Sequence, residues 1–377
     1  MRGTGTIRMY NKKNNMIKNI KKLMSNCKNT PIQTPTIFYF ANVIDDNIAS
    51  IRNISAVRRF KGFKIFYSIK ANNFIPLIEY VSSRVDGLDV AARSEYNILT
   101  NKTTLQEPLI SATGYAYSSM EISNIISDGN SFDFSTFSQI DDVFSTQKFK
   151  NLKIGIRINT IQSSLEEQGE EDSTSRFGFQ IKDIDKIKKL QDKYKFIIDT
   201  LHIHGGQKSL SSLQKDIHVI KKWLLSDCGK NIHKLNFGGS WDYLADNNQM
   251  ESAFNLIANN FSQYSLIIEP GSLLVRTSGI LVSTVLDSET NGVLVDASQF
   301  NLSSWFKPKI IGSTSNSKNI VSCRINGITC YENDTFGNYT GKQLTIGDKM
   351  LFYPVGAYYV TTRRNLHNLS FPEQFLV

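Results

Sequence analysis

A lysine at the end of a predicted buried strand is the residue of this sequence whose position most directly suggests chemistry. Lys70 follows the run 64–68 (KIFYS), whose aromatic and β-branched residues predict a buried strand. Burial disfavours the ammonium form and makes the amine a better nucleophile toward an aldehyde, which is how Schiff-base lysines work. A lysine after a strand is also often a surface residue that extends its charge into water. The rest of the sequence must decide between these interpretations.

Other residues suited to binding a cofactor lie at, or directly after, the carboxyl ends of predicted strands. They are Asp89, Arg157, His204, Gly238, Gly239, Glu269 and Gly271. A phosphate-bearing aldehyde cofactor requires such a set, because a glycine pair lets backbone N–H groups approach the phosphate and a carboxylate holds a pyridine nitrogen protonated. A histidine can stack on the ring. Taken singly, these residues also fit a tight turn, the end of an element or a histidine of the core.

The elements that must position these residues are short β-rich runs and helical patterns, which alternate from residue 36 to 275. The predicted strands are 36–40, 64–68, 87–90, 108–111, 132–134, 153–158, 198–204, 234–237 and 266–269, with helical patterns such as 119–127 and 181–193 between them. Strands alternating with helices indicate parallel βα units, and this number of units predicts a (β/α)₈ barrel of the TIM type. The carboxyl ends of its strands would gather the residues above at one site. A doubly wound sheet is the alternative.

After Gly279 the sequence changes to β-rich runs separated by Gly, Asn and Ser turns. These runs are 282–285, 293–296, 320–325, 349–353 and 358–361. They predict a C-terminal, mostly antiparallel β domain. We therefore expect a basic extension and helix at 1–35 that partly joins the β domain, the barrel at 36–278, and the β domain at 279–377. The acidic and polar insert 162–172 predicts an exposed loop.

The net charge of +9 is concentrated near the start of the sequence. Residues 1–30 contain eight lysines and arginines and no acid, which leaves the remainder close to neutral. This distribution argues against a basic face for nucleic acid, and no apolar run approaches the roughly 20 residues that span a bilayer. Ile17, Ile20, Leu23 and Met24 recur at helical spacing, which indicates either a surface helix or a targeting peptide.

The four cysteines, Cys27, Cys228, Cys323 and Cys330, are scattered along the sequence. They show no paired spacing of the kind that binds zinc, and no secretory leader precedes them. We therefore expect no metal site, and a reducing, cytoplasmic environment.

The order and spacing of the segments that carry Lys70, His204, Gly238 and Glu269 resemble those of the fold-type III pyridoxal-phosphate decarboxylases. This family includes the ornithine, diaminopimelate and carboxynorspermidine decarboxylases, and its members share the alanine racemase-like fold. The segment YSIKAN around Lys70 resembles the lysine site of that family, and LDVAARSEY around Asp89 resembles a second block. HIHGGQ, FGGS, EPGS and TCYENDTFGNY then follow in family order. The resemblance extends from Thr34 to Val377.

This resemblance implies roles for individual residues. Lys70 would form the Schiff base with pyridoxal 5'-phosphate, His204 would stack on the ring, and Glu269 would pair with the pyridine nitrogen. Asp89, Arg157, Gly238, Gly239, Gly271, Ser272 and Tyr358 would complete the cofactor site, mainly around the phosphate. Cys330 would reach across the interface of a homodimer and donate the proton that replaces the carboxylate. Tyr331 and Asp334 would contact an amino-acid substrate.

Two departures from the family pattern bear on cofactor and substrate. Ser272 stands where the family commonly has an arginine that grips the phosphate, so another cation would have to compensate or affinity would fall. Tyr331 stands where the ornithine and diaminopimelate branches have an acid, which argues for a larger or modified substrate. A carboxylated polyamine, a diaminopimelate-like acid or a siderophore or secondary-metabolite intermediate would fit. The alternatives are an amino-acid racemase or epimerase, and a catalytically inactive binding or regulatory relative.

Overall fold

The structure is a computed structural model that describes residues 4–29, 31–106, 108–147, 149–161, 175–288, 292–305 and 307–377, with the side chains of residues 4–14 excepted. The predicted loop 162–172 lies outside the described residues. The chain divides into two compact units. The first, here called the β unit, contains residues 1–50, 71–80 and 274–377, and the second, the barrel unit, contains residues 51–70 and 81–273.

The strands and helices of the described residues are numbered here in chain order. The strands are β1 (Thr36–Tyr39), β2 (Gly62–Ser68), β3 (Gly87–Val90), β4 (Ile110–Thr113), β5 (Ser131–Phe134), β6 (Lys153–Ile158), β7 (Ile197–Ile203), β8 (Lys234–Asn236), β9 (Ser265–Ile268), β10 (Gly279–Asp287), β11 (Val293–Val295), β12 (Lys309–Ser313), β13 (Ile320–Asn326), β14 (Thr335–Lys342), β15 (Lys349–Tyr353) and β16 (Glu373–Leu376). The helices are α1 (Thr4–Asn29), α2 (Ala41–Arg52), α3 (Ile75–Ser82), α4 (Arg93–Asn101), α5 (Ser119–Ser127), α6 (Phe137–Thr146), α7 (Ile184–Tyr194), α8 (Leu210–Leu225), α9 (Asp242–Asp246), α10 (Met250–Phe261), α11 (Ser272–Val275) and α12 (Gln299–Leu302).

Strands β2 to β9 form a closed parallel barrel in chain order. The barrel closes where β2 pairs with β9, in a register that joins Gly62 to Ser265. Its strands are predominantly apolar, as expected of parallel strands that are covered on both faces, and every residue of β3 and β4 is buried. The predicted (β/α)₈ barrel is thereby confirmed, and β3 and β6 have the bounds that the sequence pattern predicted.

The helices between these strands begin where local sequence signals place them. Helix α5 starts after Ser118, whose hydroxyl accepts from the backbone N–H of Glu121 while the Glu121 carboxylate accepts from the N–H of Ser118. This reciprocal pair is a capping box, which satisfies two amides that the first turn leaves without partners. The predicted helical pattern 181–193 appears as a 3₁₀ turn at Ile181–Asp183 that continues into α7.

The β unit contains a second, mostly antiparallel sheet in the order β12-β15-β10-β11-β13-β14, as the change of pattern after Gly279 predicted. Strand β1 pairs antiparallel with β10 and parallel with β16. It belongs to this sheet, whereas the sequence pattern placed it at the start of the barrel. The predicted strand 358–361 is absent from the described strands, because Tyr358 has φ of +64°, outside the extended region.

Helix α1 contributes to the core of the β unit. Met16, Leu23 and Cys27 are buried in one cluster with Phe40, Val43, Ile280, Val282 and Leu351. Most of the apolar face of its described side chains therefore packs within the β unit, although Ile17 is 41% exposed, and this favours the interpretation as a packed surface helix. Among the described residues, no helix is both long and apolar enough to cross a membrane.

Candidate active site

Lys70 and Asp89 lie at the carboxyl ends of the adjacent strands β2 and β3. The ammonium of Lys70 is 3.9 Å from Oδ2 of Asp89, and the hydroxyl of Ser68 donates to the same oxygen at 2.5 Å. Asp89 is buried, but the side chain of Lys70 is 42% exposed. Lys70 is therefore less enclosed than its position after an apolar strand suggested, and its amine is accessible.

Glu269 directly follows β9, at the same end of the barrel, and two other strands supply hydrogen-bond donors to its carboxyl group. Its Oε1 accepts from Nδ2 of Asn236 at 2.6 Å and from the hydroxyl of Ser111 at 3.1 Å. Burial raises the pKa of Glu269 to about 7, and the negative charges of Asp89 and Asp133 act in the same direction. The neutral form of this carboxyl group is thus favoured relative to that of an exposed glutamate.

His202 and Asp133 are buried beside Glu269, and neither was predicted as a site residue from the sequence. Nε2 of His202 lies 3.4 Å from Oε2 of Glu269, and Nδ1 lies 2.9 Å from Oδ2 of Asp133. Asp133 fits because Gly155 faces it on β6, where a Cβ atom would lie 1.7 Å from Oδ1 of Asp133. A charged residue in the apolar strand SFDF, and a histidine two positions before His204, were the available signals.

His204 comes just after β7 and is neutral in this site. Burial, together with the positive charges of Lys208, Lys70 and Arg157, lowers its pKa well below the ordinary range. Its Nδ1 accepts from the backbone N–H of Gly239 at 3.2 Å, and the guanidinium of Arg157 donates to its carbonyl at 3.0 Å. The ring is therefore fixed at the end of the barrel.

Gly238 and Gly239 form the turn after β8, next to His204. A Cβ atom on Gly238 would lie 2.8 Å from Nδ1 of His204, and Gly238 has φ of +59°. Both amides already donate within the protein, that of Gly238 to Oδ1 of Asn236 and that of Gly239 to His204. This differs from the expectation that the pair offers free N–H groups: in this structure the glycines supply space and a turn.

Gly271 and Ser272 follow Glu269 and are both buried. The hydroxyl of Ser272 donates to Oδ2 of Asp242. The hydroxyl of Ser272 is therefore already hydrogen-bonded to a carboxylate within the protein. It occupies the position where the family that the sequence resembles commonly has an arginine.

The other predicted site residues, Cys330, Tyr331, Asp334 and Tyr358, lie in the β unit. Cys330 is exposed, and its backbone N–H donates to Nε2 of His367 at 3.4 Å. The Tyr331 side chain is exposed and stacks on Phe300, with ring centroids 5.5 Å apart. The backbone N–H of Tyr358 donates to the carbonyl of Ala71 at 2.6 Å.

Asp334 is buried, and its carboxylate organises the loop that carries Cys330. Oδ1 accepts from the amides of Gln299 and Phe300 at 2.8 and 3.3 Å, and Oδ2 accepts from the amide and hydroxyl of Thr329 at 3.1 and 2.6 Å. These contacts assign a structural task to a residue that the sequence analysis predicted to bind substrate; the substrate contact stays a prediction.

The barrel residues fit the expected pyridoxal phosphate. Oδ1 of Asp89 and Nε of Arg157 are buried atoms without a hydrogen-bond partner among the described residues. Buried polar groups usually have partners, so a bound polar ligand would satisfy them. The glycine turn leaves a space that a side chain would fill, and Glu269 can share a proton with a ring nitrogen.

Comparison with known proteins agrees with this geometry. Residues 49–276 match the family model described as "Pyridoxal-dependent decarboxylase, pyridoxal binding domain". A diaminopimelate decarboxylase of Thermoplasma acidophilum is 23% identical over 368 residues, which cover 91% of this chain and 87% of the relative. A carboxyaminopropylagmatine decarboxylase of Synechocystis is 25% identical over 174 residues, which cover 43% of this chain and 45% of the relative.

Solved structures show the same fold. The crystal structure of lysine decarboxylase from Selenomonas ruminantium superposes with a TM-score of 0.77 at 18% identity and covers 95% of each chain. At this level of identity the structural similarity supports the fold alone, which consists of a barrel and a second domain with a β-sheet.

Proposed function

This chain belongs to the pyridoxal-dependent decarboxylases, and on that premise we propose that it removes the α-carboxylate of a diamino-acid-like substrate. Its cofactor is pyridoxal 5'-phosphate. The proposal extends to the residues that act in the barrel, to the class of substrate and to a second subunit.

The buried carboxyl group of Glu269 is the observation that carries this proposal. When bound, the cofactor supplies a protonated pyridine ring, which withdraws electrons from the substrate's Cα as CO₂ leaves. Glu269 is suited to hold that proton, because its pKa is raised to about 7 and Oε1 is fixed by Asn236 and Ser111. A fully protonated ring is a strong electron sink and favours loss of CO₂ over racemisation.

Three further residues have distinct tasks in this proposal. Lys70, with an accessible amine, is the residue that would hold the cofactor through its aldehyde carbon. His204, neutral and fixed by Gly239, presents a flat face to the ring. Cys330, exposed on its loop, donates the proton that Cα receives after CO₂ leaves.

The proposed class of substrate depends on Tyr331, the residue that follows Cys330. Tyr331 presents an aromatic ring, stacked on Phe300, where an acid would bind a simple terminal ammonium. An aromatic face binds alkyl chains and delocalised or secondary cations. We therefore place the substrate among larger diamino acids, such as carboxylated polyamines, diaminopimelate-like acids and siderophore intermediates. The similarity to a carboxyaminopropylagmatine decarboxylase supports this direction.

The first experiment measures CO₂ release by the chain loaded with excess pyridoxal phosphate. The substrates are L- and D-lysine, ornithine, diaminopimelate, carboxynorspermidine, carboxyspermidine and citryl-diaminopropionate, with Lys70→Ala as the control. We expect release from one of the larger members and none from the variant. Turnover by Lys70→Ala at the wild-type rate would refute the assignment. Exchange of the Cα hydrogen without CO₂ would establish the racemase instead.

We also propose that the chain acts as a homodimer in which Cys330 completes the partner's site. The test mixes Lys70→Ala with Cys330→Ala, each inactive alone, and allows subunits to exchange. Shared sites would return about a quarter of wild-type activity, because half of the dimers are mixed and each has one intact site. Activity that stays at the level of the separate variants would exclude a shared site.

A further inference from the structure

Lys208 is a buried cation that the proposed mechanism does not use. It lies between β7 and α8, and it is 2% exposed. Its backbone N–H donates to the carbonyl of Ser240 at 3.0 Å, and its ammonium donates to the carbonyl of Gly239 at 2.9 Å. The ammonium lies 5.3 Å from the centre of the Trp241 ring. Lys208 therefore reaches from one strand end to the glycine turn of the next.

The ammonium of Lys208 has fewer partners than a buried charge requires. It has three N–H donors, and among the described residues only the Gly239 carbonyl accepts from it, with no carboxylate at ion-pair distance. Burial lowers the pKa of Lys208 to about 8, and the charge of Asp216 opposes this decrease. An under-partnered buried charge is costly, and a ligand that accepts hydrogen bonds from it would offset this cost.

The immediate surroundings of Lys208 identify the kind of ligand. With Gly205 and Gly206, and with Lys215 and the buried Asp216 of helix α8, it lines a cavity of about 180 Å³. This cavity has room for several water molecules and hence for a phosphate group. The amides of Gly238 and Gly239 are already engaged, and Ser272 donates to Asp242. An anion at this end of the barrel therefore needs another donor, and Lys208 carries both the charge and the free N–H groups.

We propose that Lys208 binds the phosphate group of pyridoxal phosphate and supplies the positive charge that Ser272 does not. The inference rests on the proposed use of this barrel site for the cofactor. One ammonium N–H of Lys208 donates to the carbonyl of Gly239, and a phosphate dianion would accept from the other two. The negative charge of the phosphate would stabilise the buried ammonium. The same contact ties the loop after β7 to the glycine turn after β8.

The test compares pyridoxal phosphate with pyridoxal, which has the aldehyde but no phosphate. Calorimetric titration of the apoprotein gives both affinities for the wild type, Lys208→Met and Lys208→Arg. A hydrogen-bonded charge contributes enough that we expect Lys208→Met to bind pyridoxal phosphate roughly 10- to 100-fold more weakly. Its affinity for pyridoxal should stay within about threefold, and Lys208→Arg should recover part of the loss.

Two controls separate phosphate binding from a structural role. Lys221→Met removes an exposed lysine of helix α8 that does not line this cavity, and it should change neither affinity. The apoprotein of Lys208→Met should melt within a few degrees of the wild type, because the loss of the hydrogen bond to Gly239 accompanies the removal of a costly buried charge. Inorganic phosphate should raise the melting temperature of the wild-type apoprotein and leave that of Lys208→Met unchanged.

The outcomes distinguish this inference from the function on which it rests. Equal losses of affinity for both ligands in Lys208→Met, or no loss for either, would overturn the role of Lys208. A lower melting temperature of its apoprotein, with no effect of inorganic phosphate on the wild type, would assign Lys208 to the fold alone. A wild type that binds neither ligand would overturn the cofactor site itself, and this inference with it.

Discussion

The imidazole of His202 lies between two buried carboxyl groups, with Nε2 at 3.4 Å from Glu269 and Nδ1 at 2.9 Å from Asp133. Burial and the charges of Asp89 and Asp133 raise the pKa of Glu269 to about 7, and the neighbouring His202 acts in the opposite direction. His202 is therefore placed to influence the ionisation of Glu269 directly.

Replacement of His202 should move the pH dependence of the reaction. In His202→Gln the pKa of Glu269 rises, so the ionised carboxylate is lost at a higher pH and the acid limb of kcat/KM shifts upward. A shift of one unit lowers activity at pH 7 roughly fivefold and leaves activity above pH 9 nearly unchanged. The measurement is a pH profile of CO₂ release, with His218→Gln on the exposed face of α8 as the control. An equal fall at every pH would mean that His202 only maintains structure.

Gly155 should prove necessary because of the carboxylate beside it. A methyl group at this position would lie 1.7 Å from Oδ1 of Asp133, and neither residue has room to move in the buried barrel. Gly155→Ala should lower the free energy of unfolding by about 1–3 kcal/mol. In an Asp133→Ala background, Gly155→Ala should lower the free energy of unfolding by much less. Urea unfolding of the four proteins of this double-mutant cycle would measure the difference. Additive costs would show that the two sites do not interact.

Asp334 should contribute to stability through the four hydrogen bonds that its carboxylate accepts. Asp334→Ala leaves buried amides without partners and should cost about 2–4 kcal/mol in urea unfolding. Glu332→Ala, an exposed neighbour in the same loop, is the matched control and should have little effect. If stability is retained while KM for the substrate rises, the predicted substrate contact of Asp334 is the better explanation.

Leu23 tests whether α1 belongs to the fold or serves as a separable peptide. It is 5% exposed in the cluster that includes Phe40, Ile280 and Leu351. Leu23→Ala should therefore lower the free energy of unfolding by about 2–4 kcal/mol, whereas Lys22→Ala, on the exposed face, should not. Equal melting temperatures for both variants would favour a targeting role for the helix.

The barrel was predictable because its signals are local. Each βα unit shows its strand, turn and helix within about 30 residues, and the strand ends carried Lys70, Asp89 and Glu269 to the expected edge. The placement of β1 was not predictable, because its partners Leu281 and Gln374 lie hundreds of residues away and its own sequence suits either sheet. Local pattern also cannot reveal a positive φ at Tyr358.

The sequence predicted where the site residues lie better than it predicted the hydrogen bonds that they form. His204 and the glycine turn lie together as their order suggested, but the occupied amides of that turn depend on Asn236 and His204, which only the folded barrel brings there. His202 and Asp133 were missed because each lies within an apolar strand, and Lys208 was missed because it follows the polar segment Gly205–Gln207 without a characteristic spacing. Their importance arises from burial beside one another's charges.

The parallel pairing of β1 with β16 has a consequence for synthesis on the ribosome. The strands of the barrel are complete once Ile268 has been translated, whereas β1 must wait for Glu373–Leu376 before its second edge is covered. Helix α1 waits likewise for Val282 and Leu351. These early segments therefore emerge with apolar surface that no finished neighbour covers, and during translation they are the part of the nascent chain that chaperones would be expected to hold.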